Sequence, residues 1–93
     1  MESLNRQNAK VYVKVNVTFD EDGLMLPRSL IWEDGHPYKI DRVLDIRSAY
    51  AEKAGGQGDR YTVKVGNRES YLFFERNADE QNKRIGRWFV ERK

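Results

Sequence analysis

The chain has 93 residues, no cysteine, and 17 basic against 15 acidic side chains with a single histidine, a net charge of +2. That length holds one domain with one modest core and no separate catalytic lobe. The missing thiols exclude disulfides, thiolate metal sites and a cysteine nucleophile, and a charge so near zero does not by itself select a polyanionic partner.

Residues 1–9 read as a flexible segment ahead of a single small domain spanning residues 10–93. Its opening, Met1 to Asn8, lacks the apolar centre of a secretory signal. No apolar run approaches the roughly 20 residues that a membrane-spanning helix needs. The chain therefore reads as cytoplasmic, with no membrane partner.

The first strand is predicted over residues 10–18, where valine occupies every second position from Val11 to Val17. Successive side chains of a strand point to opposite faces, so the valines share the buried one. Phe19-Asp20-Glu21-Asp22-Gly23 reads as a turn, and Leu24 to Pro27 as an extended connection, since proline has no amide for a central ladder. A second strand is predicted over residues 28–33, followed by a hairpin signal at Asp34-Gly35. A third runs from Tyr38 to about Arg47 with a broken phase: Tyr38, Ile40, Leu44 and Ile46 share one parity and Val43 the other. A bulge near residues 41–43 accounts for the break and bends the strand toward barrel closure.

Residues 48–54 have helix formers for at most one short helical turn, ended by Gly55, Gly56 and Gly58. A fourth strand is predicted over residues 59–65, a tight turn at Gly66-Asn67, and a fifth strand over residues 68–76. In the fifth, Tyr71 and Phe73 share one face, Leu72 and Phe74 the other. After a polar loop at residues 77–83, a sixth strand covers residues 84–91, in which Trp88 and Phe89 must point to opposite faces. The fold class is all-β: a five- or six-stranded antiparallel barrel or strongly curved sheet.

Few residues carry chemistry. Asp20, Glu21 and Asp22 are consecutive, whereas an EF-hand loop needs alternating ligands and a glutamate at position twelve, so a solvated turn is the better reading. His36, between Gly35 and Pro37, has no orienting partner in the sequence. Asp41 and Asp45 are better read as ion-pair partners of Arg42 and Arg47 than as an acid–base couple. The glycines at 55, 56 and 58 lack the Lys-Ser/Thr and helix of a P-loop. No catalytic residue, metal site or cofactor is expected. The one mixture that points to a ligand class is Tyr61, Tyr71, Phe73, Phe74, Trp88 and Phe89 interleaved with Arg60, Lys64, Arg68, Arg76, Arg84 and Arg87. Small barrels that bind single strands combine such cations and rings. Basic side chains number six in residues 1–46 and eleven in residues 47–93, against eight and seven acidic ones. Arg60, Lys64, Arg84, Arg87 and Trp88 are the candidate nucleic-acid contacts.

Leu30-Ile31-Trp32, a short turn, then Tyr38, Ile40, Val43-Leu44 and Arg47 resemble a group of small bacterial domains of unknown function. Tyr61-Thr62-Val63-Lys64-Val65, Tyr71-Leu72-Phe73-Phe74 and Gly86-Arg87-Trp88-Phe89-Val90-Glu91-Arg92 look like the rest of that pattern. These domains are found alone and beside DNA-repair polymerases. The resemblance implies a cytoplasmic bacterial accessory domain and brings no catalytic residues. It slightly favours nucleic-acid contact, and the insert at residues 77–84 and the acidic Asp20-Glu21-Asp22, which depart from the short, basic versions, weaken that transfer. The reading is a non-enzymatic interaction module, monomeric or weakly dimeric, that offers a sheet edge or the loop at residues 48–58 to a protein partner. The alternative is a nucleic-acid-binding barrel using the basic C-terminal half.

Overall fold

The computed structural model describes residues 9–50, 57–77 and 83–92, and their regular structure is all β-strand. Seven strands follow in chain order: β1 (Ala9–Phe19), β2 (Met25–Ile31), β3 (Pro37–Lys39), β4 (Arg42–Tyr50), β5 (Gln57–Val65), β6 (Arg68–Arg76) and β7 (Gly86–Arg92). They form one antiparallel sheet in the order β3-β2-β1-β7-β6-β5-β4. Every neighbouring pair except β1 with β7 is consecutive in the chain. The sheet curls strongly into a half-barrel, as the patterning requires, with one strand more than expected.

The extra strand comes from the expected third one, which divides into β3 and β4. After Lys39 the chain leaves β2: the Ile40 amide donates to the Arg28 carbonyl at 2.9 Å, and the next amide, Asp41, donates to the Lys64 carbonyl on β5 at 2.8 Å. Two adjacent residues thus tie β2 to β5 and draw the two margins of the sheet together at one end. The β4–β5 register then shifts between Val43 and Asp45. The bulge lies at Leu44, one step beyond its expected place. The extra residue resets the alternation, so that Ile40, Val43 and Ile46 all pack against the core despite a spacing of three.

β2 starts earlier than expected and includes Pro27, which is fully buried. Pro27 lies opposite Val17 where the β1–β2 register shifts, and β3 pairs only with Ser29, Leu30 and Ile31. The missing amide therefore interrupts no second ladder, the setting in which a strand tolerates proline. β4 is extended from Arg42 to Tyr50, so the helical turn expected near residues 48–54 does not begin at Ser48. Residues 1–8 and 51–56, including the rest of that turn, Gly55 and Gly56, lie outside the described residues.

Leu30, Ile40, Tyr61, Val63, Leu72, Phe74 and Trp88 form the interior, with Val13, Val15 and Val17 packed against them. The rings interlock: Trp88 lies 5.0 Å from both Tyr61 and Phe74. Trp88 and Phe89 do point to opposite faces, yet both are buried. Phe89 is 2% exposed on the convex side, stacked 5.0 Å from Phe73 and edge-on to Tyr12 at 5.9 Å, with the Lys10 ammonium 4.8 Å above its ring.

Candidate binding surfaces

The half-barrel leaves a seam. At the end opposite the Ile40 tie, β4 diverges from β2 and opens a cleft of about 470 Å³. Ile46 and Ser48 of β4 line one side, Leu24 and Met25 the other, and Tyr61 and Phe74 lie at its base. The Tyr61 hydroxyl donates to the Met25 carbonyl at 2.9 Å across it. Burial, with the Asp59 carboxylate nearby, pushes the Tyr61 hydroxyl above its ordinary range, and Arg76 only partly offsets this. Arg76 and Asp59 pair at 2.9 and 3.0 Å beside the cleft. Its mouth is apolar: Phe19, Leu24 and Ile85 line it while 59%, 44% and 68% exposed. Three large apolar groups gathered at one opening form a patch, whereas scattered ones would need no explanation. β4 is also a margin of the sheet, so nine residues of backbone carry donors and acceptors without a neighbouring strand on one side.

The convex face is built from the residues that alternate with the core. On β1, β7 and β6 it is closed by its own contacts. The Glu75 carboxylate accepts from Lys10 at 2.5 Å and from Tyr12 at 3.0 Å, while the Arg87 guanidinium sits 3.9 Å over the Tyr12 ring and 3.5 Å from Glu75. Burial alone would raise the Glu75 pKa. The hydrogen bonds from Lys10 and Tyr12 and the charges of Lys10 and Arg87 outweigh it and hold the carboxyl below its usual range. On β4 and β5 the same face is different. Arg47 lies directly opposite Arg60, and Arg42 opposite Lys64. Beyond Arg60, Tyr71 stands 53% exposed with the guanidinium 4.5 Å over its ring.

The residues expected to contact nucleic acid are thus not brought into one cluster. Arg60 and Lys64 share the convex face of β5, Arg87 is engaged with Tyr12 and Glu75, and Arg84 precedes β7 near the seam. Trp88 is buried, leaving its ring without a face for a base. The other candidates hold turns. Asp20 accepts the Asp22 and Leu24 amides at 2.9 Å, and Asp41 accepts the Gly66 amide at 2.7 Å. Asp45 pairs with Arg47 at 2.7 Å, so the two carboxylates act separately. His36 lies exposed, 4.7 Å from the Tyr38 ring. Among the described residues no group of three His, Asp or Glu could hold a metal ion.

Arg42, Arg47 and Tyr71 were not among the expected contacts, nor was the apolar mouth. A signal existed for the latter: Leu24, Met25 and Leu26 are consecutive, and a strand cannot turn all three inward. No family model, curated protein or solved structure matches the chain.

Proposed function

We propose that this chain is a non-enzymatic interaction module of the bacterial cytoplasm that takes up an extended segment of a partner protein along the free margin of β4. The observation that carries this is the coincidence of a nine-residue strand unpaired along one edge with an apolar opening beside it. An added strand satisfies the backbone groups of β4 and completes the half-barrel. Its inward side chains fall over Ile46 and Ser48 and against Phe19, Leu24 and Ile85. Its outward ones fall beside Arg42 and Arg47. The segment that fits therefore alternates apolar with acidic residues.

The test is selection from a displayed library of random nine-residue peptides. Enrichment of alternating apolar and acidic sequences is expected, with chemical-shift changes centred on the β4 amides when a selected peptide is titrated. Ile85→Asp should weaken that peptide about tenfold or more, since covering a mostly exposed isoleucine contributes about 1.4 kcal/mol. Selected peptides without the alternation, or shifts that avoid β4, would overturn the proposal.

A further inference from the structure

We infer that the convex face of β4 and β5, with Tyr71 of β6, is a binding surface for single-stranded nucleic acid that adjoins the seam at Arg42 and Arg47. Two arrangements on this face are not favoured by folding alone. Like charges directly opposite on neighbouring strands repel, and this face has two such pairs side by side, Arg47 with Arg60 and Arg42 with Lys64. Against these four cations stand Asp45, bonded to Arg47, and Glu69, opposite Lys64. The Arg60 Nε is moreover buried with no hydrogen-bond partner, a further unfavourable contribution. A row of phosphates laid across β4 and β5 relieves the repulsion. The two pairs are about 13 Å apart along β5, a reach suited to a chain of anions rather than to one.

The second observation is aromatic. Tyr71 stands 53% exposed on the same convex face, two strands from Arg42 and Arg47, with the Arg60 guanidinium 4.5 Å over its ring. A phosphate chain on the cation pairs and a base against Tyr71 together describe an unpaired strand, recognised by charge and stacking. A duplex keeps its bases stacked and away from Tyr71.

Fluorescence anisotropy with a labelled twelve-residue oligothymidylate tests this, beside the matching duplex and polyglutamate, at about 50 and 200 mM salt. The single strand should bind at low salt and fall with a log–log slope near −0.7 for each phosphate contacted. Arg60→Gln with Lys64→Gln should weaken it and lower that slope by about 1.4. Tyr71→Ala should weaken it by about five-fold or more with the slope unchanged. Ile85→Asp, which disables the seam, should leave it intact, so the failure of one reading is distinguishable from that of the other. The inference is overturned by no binding at about 50 mM salt, by equal binding of duplex or polyglutamate, or by indifference to Tyr71→Ala.

Discussion

Phe74 lies between two glycines, and replacing either should unseat it. Gly86 begins β7 opposite Arg76, and a methyl group built on it would collide with the tip of the Phe74 ring and lie 2.5 Å from the Glu75 carbonyl oxygen. The ring cannot retreat, because Trp88 lies 5.0 Å behind it. Two effects of Gly86→Ala oppose each other. A glycine inside a strand costs roughly 0.5–1 kcal/mol relative to alanine, whereas forcing extra volume into a packed interior costs about 1–3 kcal/mol. The collision involves both ring and backbone, so sterics should win, leaving a net loss of about 1–2 kcal/mol. For a domain of this size that lowers the melting temperature by roughly 5–15 °C. Phe74→Leu removes the ring tip, so the double variant should be less destabilised than the two single effects added together, a coupling that urea denaturation of all four proteins measures. A Gly86→Ala protein as stable as the parent, or a coupling of zero, would refute the reasoning.

Other outcomes follow from the same geometry. Leu72→Ala should cost about 2–5 kcal/mol in urea denaturation, because Leu72 is among the most buried side chains of the core. Glu75→Gln should remove a pH dependence. A carboxyl held below its unfolded value contributes stability at neutral pH that is lost as pH falls through its folded pKa, so parent and variant should converge in melting temperature toward acid pH. Phe19→Asp should leave the fold intact, since Phe19 is mostly exposed, while abolishing capture of the selected peptides.

The parts of the fold that could be read from the sequence are those fixed by local alternation. The valines of β1 and the divided faces of β6 needed only the period-two rule. The division of the third strand at Ile40 was not legible, because it depends on two amides finding carbonyls 12 and 23 residues away, on Arg28 and Lys64. Pro27 argued locally against a strand, yet a register shift beside it makes the site permissive. Burial was least legible of all. Phe89 faces outward as alternation demands, and only the neighbouring Lys10, Tyr12 and Phe73 bury it. The seam has the same character: Phe19, Leu24 and Ile85 come from separate stretches of chain, and their exposure is a property of the gap between strands. For the convex patch, the cations were visible as a tally, but only the register places Arg47 opposite Arg60.

The bulge at Leu44 links these features. β4 must leave β2 after Ile40 and then run beside β5, and the extra residue gives it the bend to do so while keeping Val43 and Ile46 inward. The same bend swings the rest of β4 away from β2, so the device that closes one end of the barrel also opens the other. Deleting Leu44 separates the two consequences. The alternation survives, because Val43, Asp45 and Ile46 then follow in regular phase opposite Val63, Thr62 and Tyr61. Leu44 is itself exposed, so its removal forfeits little burial. A folded protein with a melting temperature within several degrees of the parent is expected, but with a straighter β4 and a seam of altered width. Affinity for the selected peptides should fall at least tenfold, while nucleic-acid binding, which depends on convex pairings the deletion preserves, should hold within a factor of about three. Peptide affinity unchanged by the deletion would show that the bulge does not set the seam.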